Sequence, residues 1–140
     1  MKKLLYLLLI VPIFLSAELN IEKVSNVLQN LQSSKPLKFF NANKRIDLKN
    51  RVRFTSLEDA NIILFSDSKN IKKMTIANSY KALQMNKNSI GAIYLKKGRT
   101  QIIFISERLK KNGLYLSSSF DKYILSECQL NLVCLLTNIK

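Results

Sequence analysis

The sequence predicts an α/β fold with α+β character, in which short helices flank a small mixed sheet that includes an antiparallel hairpin at 90–105. Three observations lead to this prediction. Apolar residues recur at helical spacing in residues 20–32. A continuous β-branched and aromatic run at 62–65 is typical of a strand buried on both faces. Two strand-like runs within 90–105 flank a short turn that contains Gly98, as in a β-hairpin.

The first part of the chain predicts a helix followed by short apolar segments and turns. The amphipathic helix over 20–32 ends before Pro36, because the residue that precedes a proline disfavours helical backbone. Residues 37–41 predict a short strand, and residues 41–49 are polar and turn-like. Residues 51–54 alternate basic and apolar side chains, as a half-buried strand does.

The middle of the chain surrounds the buried strand with short elements. Ser56 and Asp59 fit a capping box that opens one helical turn before that strand. Residues 74–77 predict another short strand, and residues 80–85 predict a helical turn or two.

The segment after the hairpin predicts two short helices and an apolar tail. Residues 106–113 have a capping serine, Ser106, and a terminal glycine, as a short helix does. Ser117 or Ser118 then caps a last helix. The tail from 128 to 136 is apolar, and its pattern fits either a helix or a strand.

The N-terminus has the pattern of a secretory signal peptide over residues 1–17. Two lysines precede an apolar run, and Ser16 and Ala17 supply the small side chains that precede a cut. The 14 residues from Leu4 to Ala17 are fewer than the roughly 20 that a membrane-spanning helix needs. We therefore expect cleavage after Ala17 rather than an uncleaved anchor, a periplasmic location, and one small α/β domain over residues 18–140.

The charge and the composition restrict the function classes. A net charge of +14 favours anionic lipid or polymer as a partner, although scattered lysines also fit the composition of a low-GC genome. The basic residues are scattered, and no aromatic platform of the kind that single-strand binders need is interleaved with them, so we expect no nucleic-acid partner. The chain has no histidine, which excludes Ser-His-Asp and Cys-His mechanisms and imidazole metal sites. We expect no catalytic residue, no cofactor and no metal.

Cys128 and Cys134 form the one cysteine pair of the chain. In an oxidising compartment such a pair indicates a disulfide, provided that the intervening residues turn back. A straight helix or strand between the two cysteines would forbid the bond. Free or intermolecular thiols remain the alternative. A metal site would need four ligands, and a catalytic dithiol is usually spaced Cys-x-x-Cys.

Residues 62–124 resemble the YfiR-type family of small periplasmic regulatory proteins. An ordered set of segments carries the resemblance: Ile62-Ile63-Leu64-Phe65, Thr75-Ile76-Ala77-Asn78-Ser79, Ile90-Gly91, Arg99 to Ile105, Asn112-Gly113-Leu114 and Ser117-Ser118. The chain departs from the family in a shorter connection after the buried strand, in the lack of tryptophan, and in a basic segment over 41–53.

The resemblance implies a non-enzymatic protein that holds an inner-membrane signalling protein in check, often as a dimer. We expect such a regulator to contact its partner through an apolar patch or a strand edge. Candidate contact residues lie in the hairpin (Ile93, Leu95 and Ile103) and in the tail (Leu130), with core packing as the alternative for each. The competing hypothesis is a basic envelope-associated protein that binds anionic lipid or polymer through Lys and Arg.

Overall fold

The computed structural model describes residues 17–67 and 71–137. It confirms the mixed α/β fold. The strands are β1 Gln32–Ser33, β2 Phe39–Asn41, β3 Ile62–Ser66, β4 Met74–Ala77, β5 Ser89–Lys96, β6 Arg99–Ile105, β7 Leu114–Tyr115 and β8 Ile124–Leu125. The helices are α1 Ile21–Asn30, α2 Tyr80–Met85, α3 Ser106–Lys111, α4 Glu127–Leu130 and α5 Leu132–Thr137, with a 3₁₀ helix at Ser118–Tyr123.

Six of the strands form one mixed sheet in the order β2-β3-β4-β5-β6-β8. Strands β2 to β5 run parallel, β5 and β6 are antiparallel, and β8 runs parallel to β6. The carboxyl ends of β2, β3 and β4 therefore meet at one edge of the sheet. Strands β1 and β7 pair separately as a short antiparallel ribbon.

The predicted hairpin is present with nearly the predicted bounds. Its register places Gly91 opposite Phe104 and Lys96 opposite Arg99. Lys97 and Gly98 form the turn with φ of 50° and 74°. Positive φ at both central residues matches the right-handed twist of the two strands, which explains the glycine.

The sheet is buried on both faces. Neighbouring residues Ala92 and Ile93 of β5 belong to two different apolar clusters, because successive side chains of a strand point to opposite faces. The larger cluster includes α1 and the segment between β2 and β3, while the smaller one includes Leu83 of α2 and Leu130 of α4. The helix predicted over 20–32 is α1, and the side chain of Asn20 accepts a hydrogen bond from the backbone N–H of Lys23.

Three local predictions differ from the structure. Residues 51–54 form no strand, and only Phe54 makes a single bridge, to Phe39. Lys49 and Asn50, which come directly before this segment, both have positive φ, and left-handed backbone cannot begin a strand there. Ser106 is the first residue of α3 and not its N-cap, because β6 continues into the helix and Ile105 takes that place. Ser117 precedes the 3₁₀ helix without capping it through its side chain.

The tail confirms the predicted disulfide. Two short helices, α4 and α5, are separated at Asn131, where the backbone becomes extended. This break turns the chain back, so that the Cα atoms of Cys128 and Cys134 lie 5.2 Å apart and the two residues are bonded.

Residues 1–16, which carry most of the predicted signal peptide, lie outside the described residues. In the part of the chain that the structure describes, no helix has the length and apolar character needed to cross a bilayer.

Candidate functional site

A cavity opens where the parallel strands end. It has a volume of about 820 Å³, and we name it the strand-end cleft. Asn43 follows β2, Phe65 lies near the end of β3, and Asn78 follows β4. The other lining residues are Ala17, Glu18, Leu19, Ile21, Arg45, Ile46, Asp47, Lys49, Ile93, Tyr94 and Leu95.

One wall of the strand-end cleft is a loop held by its own side chains. The carboxamide oxygens of Asn41 and Asn43 accept hydrogen bonds from the N–H groups two residues further on, at 2.9 and 3.1 Å. The carboxylate of Asp47 accepts in the same way from Lys49 at 2.8 Å. Such Asx turns fix the backbone without regular secondary structure. Leu48 is fully buried and anchors the loop in the larger apolar cluster, so the wall has a defined position.

The floor of the cleft contains a strained residue. The register between β3 and β4 shifts between Leu64 and Ser66, and Phe65 is the extra residue of this bulge. Phe65 has a φ of 57° and is only 4% exposed. A bulky side chain in the left-handed region is unfavourable by about 1–2 kcal/mol, and such strain concentrates at functional sites. Phe65 belongs to the larger apolar cluster and also lines the cleft.

Charges of both signs line the rim of the cleft. Arg45 and Lys49 supply cations, and Glu18 and Asp47 supply carboxylates. Within residues 17–67 and 71–137, none of these four groups takes part in an ion pair. Their charges are therefore available to a ligand.

Tyr94 of β5 also lines the strand-end cleft. Burial, together with the neighbouring Tyr80, raises the pKa of the Tyr94 phenol. That phenol packs with Tyr80 against the smaller apolar cluster, on the face of β5 opposite Ile93.

A smaller apolar pocket of about 430 Å³ adjoins the strand-end cleft. The two cavities share Asn43, Phe65 and Asn78. Leu57, which is 48% exposed, lines the smaller pocket together with Phe40, Ile63 and Ile71. The bulged Phe65 thus forms a wall common to both cavities.

The four predicted contact residues occupy different environments. Leu95 is 38% exposed and lines the strand-end cleft. Ile93 is 1% exposed and Leu130 is 3% exposed, so these two are core residues, as the alternative interpretation has it. Ile103 is half-buried against the smaller apolar cluster. Leu95 is thus the most exposed of the four predicted contact residues, and Ile103 is partly accessible.

Sequence reasoning missed most of this site. The polar segment 41–49 was predicted as a turn, but its spacing of Asn and Asp residues also indicates Asx turns. No local signal marks the bulge at Phe65, which depends on the register with β4. In the described ranges, no group of three or more His, Cys, Asp or Glu residues is placed to hold a metal ion.

Comparison with known proteins identifies no relative. No family model matches the chain, and no curated protein or solved structure is significantly similar to it.

Proposed function

We propose that this protein is an exported, non-enzymatic regulatory protein of the cell envelope that controls an inner-membrane signalling partner through the strand-end cleft. The observation that carries the proposal is Phe65, a buried aromatic residue held at a φ of 57° on the floor of that cleft. Strain of this kind persists where the surrounding structure over-determines it, and it concentrates at ligand clamps and switch regions.

Export is supported by two independent features. The N-terminal pattern of lysines, apolar residues and Ser16-Ala17 is that of a cleaved signal peptide. The disulfide between Cys128 and Cys134 belongs to the chemistry of an oxidising compartment.

The lining of the cleft suits a segment of a protein. Partly exposed apolar side chains, those of Leu19, Ile21 and Leu95, offer a surface for a buried anchor, and the cleft lining also carries charges of both signs. Protein interfaces have this arrangement of an apolar centre and a polar rim. The resemblance of residues 62–124 to YfiR-type regulators favours an inner-membrane signalling protein as the partner.

Co-purification tests this proposal. The mature protein is crosslinked mildly in the cell envelope and purified at low and at high salt, and the captured proteins are identified. We expect a stoichiometric inner-membrane signalling protein that survives high salt, because salt screens exposed charges but not apolar contacts. Leu95→Gln should lose this partner. Met85→Gln, which changes a residue 47% exposed outside the cleft, should keep it.

Two results would contradict the proposal. One is the recovery of lipid or polymer alone, lost as the salt concentration rises, which would leave envelope association through Lys and Arg as the function. The other is equal retention of the partner by both variants, which would place the contact outside the strand-end cleft.

A further inference from the structure

A second concave surface, separate in chemistry from the strand-end cleft, runs past Tyr123. It consists of two adjoining cavities of about 570 and 610 Å³, which share Asn20, Lys23, Lys122 and Tyr123. We name it the Tyr123 groove. Arg99 lines only the first of these cavities, and Arg51 lines only the second. The cations are therefore distributed along the length of the groove.

Two of these cations share one aromatic ring at the centre of the groove. The Nζ atoms of Lys23 and Lys122 lie over the Tyr123 ring, at 5.5 and 5.1 Å from its centroid. Lys23 also donates a hydrogen bond to the backbone carbonyl of Thr100 at 3.3 Å. The negative face of an aromatic ring attracts an ammonium group, so Tyr123 holds both lysines at the groove. This ordering lowers the conformational entropy that a ligand would otherwise have to remove.

The positive charge of the groove is not neutralised within the described part of the protein. Lys23, Lys122, Arg51 and Arg99 make no ion pair with a carboxylate there. Glu18 and Glu22 are the carboxylates in the lining, so cations outnumber carboxylates by four to two. Gathered cations repel each other and raise the local positive potential, which attracts an anionic ligand.

We infer that the Tyr123 groove binds a linear phosphate-bearing polymer, whose successive phosphates pass from Arg99 over Lys23 and Lys122 to Arg51. Lysine binds phosphate as a point charge, and phosphate contacts release counterions. Of the lining residues of the Tyr123 groove, Glu18 also lines the strand-end cleft, and the four cations that carry the inference lie outside that cleft.

The shape and the aromatic chemistry favour such a polymer over other anions. An extended polymer can lie along a concave groove, whereas a flat bilayer surface would contact only the rim of the groove. A free orthophosphate would engage only one part of the row of cations. Single-stranded nucleic acid needs open aromatic faces on which bases stack, but two ammonium groups lie over the Tyr123 ring.

Binding of inorganic polyphosphate to the mature protein tests the inference. Affinity is measured at several salt concentrations for three forms: the wild type, Lys23→Gln/Lys122→Gln, and Lys110→Gln/Lys111→Gln. The last variant removes two exposed lysines of α3, which lie outside the groove, and has the same net charge as the groove variant. We expect the groove variant to bind roughly tenfold more weakly at low salt. The slope of log affinity against log salt is negative, and in the groove variant it should become shallower by roughly one for each lost phosphate contact.

The affinity of the control variant for polyphosphate should stay within about twofold of that of the wild type, because screened charges far from the groove contribute little to binding. Lys23→Arg/Lys122→Arg retains both cations and should bind as the wild type does, which separates loss of charge from loss of folding. Equal weakening in the two Gln variants would overturn the inference, since net charge alone would then explain binding. Tighter binding to phosphatidylglycerol vesicles or to single-stranded DNA than to polyphosphate of equal charge would also overturn it.

Discussion

Arg108 holds Glu127 through two parallel hydrogen bonds: Nε donates to Oε2 at 2.8 Å, and Nη2 donates to Oε1 at 2.6 Å. Nη1 of the same guanidinium donates to the backbone carbonyls of Leu83, Asn86 and Ser89. The Arg108 side chain is buried, so one cation joins α3 to α4 and to the turn between α2 and β5. Arginine suits this place because its planar fork presents five donors in fixed directions.

Removal of the Arg108 guanidinium should destabilise the folded protein strongly. We expect Arg108→Ala to lower the free energy of unfolding by about 3 kcal/mol, because Glu127 loses its buried partner and three carbonyls lose a donor. Lys87→Ala is the matched control, since Lys87 also contacts Glu127 but its side chain is 78% exposed. The control should lower the free energy of unfolding by less than about 1 kcal/mol. Urea denaturation measures both, and similar values for the two variants would contradict this account.

Acid should weaken the fold through Glu127. The hydrogen bond from Arg108 is the largest cause that lowers the pKa of Glu127, from 4.5 to about 2. Because the folded pKa lies below the unfolded one, the stabilisation is complete above about pH 5 and is lost as the pH falls towards 2. Urea midpoints measured across this range should fall steeply for the wild type and less for Glu127→Gln.

Part of the acid dependence should remain in Glu127→Gln. The pKa of Glu107 is also lowered, chiefly by a hydrogen bond from its own backbone N–H. An unchanged slope in Glu127→Gln would show that the pair with Arg108 does not control the acid response.

The disulfide should stabilise the tail. Cys128→Ser/Cys134→Ser should lower the free energy of unfolding by roughly 2–3 kcal/mol, because the open chain gains entropy when unfolded. Denaturation with and without reductant measures this effect. The double variant should not respond to reductant, and a wild type that is equally indifferent would contradict the prediction.

At the Phe65 bulge, a glycine variant should be more stable than an alanine variant, which reverses the usual order of stability. Phe65→Gly and Phe65→Ala both lose the buried ring, but only glycine adopts a φ of 57° without strain. We expect the Gly variant to be more stable than the Ala variant by about 1 kcal/mol. Chemical denaturation compares the two. An Ala variant as stable as the Gly variant would mean that position 65 does not hold the left-handed conformation in solution.

Patterns within adjacent residues predict the helices and strands, whereas contacts between residues distant in the sequence form the candidate site. The hairpin and the buried strand 62–66 are confirmed because a turn glycine and a continuous apolar run mark them in adjacent residues. The parallel order of β2 to β5 has no such local mark, and the strand-end cleft follows from that order. Arg108 and Glu127 lie 19 residues apart in the sequence, so the residues around either one do not predict the ion pair between them.

Site-specific photocrosslinking in the cell envelope tests directly whether the strand-end cleft binds the partner. A photoreactive side chain replaces Asn78, which is exposed and lines the strand-end cleft, or Tyr115, which is 57% exposed and lies outside it. We expect position 78 to yield one crosslinked species that contains an inner-membrane signalling protein, and position 115 to yield none. An equal yield of that species from both positions, or no crosslink from position 78, would contradict the claim that the strand-end cleft binds the partner.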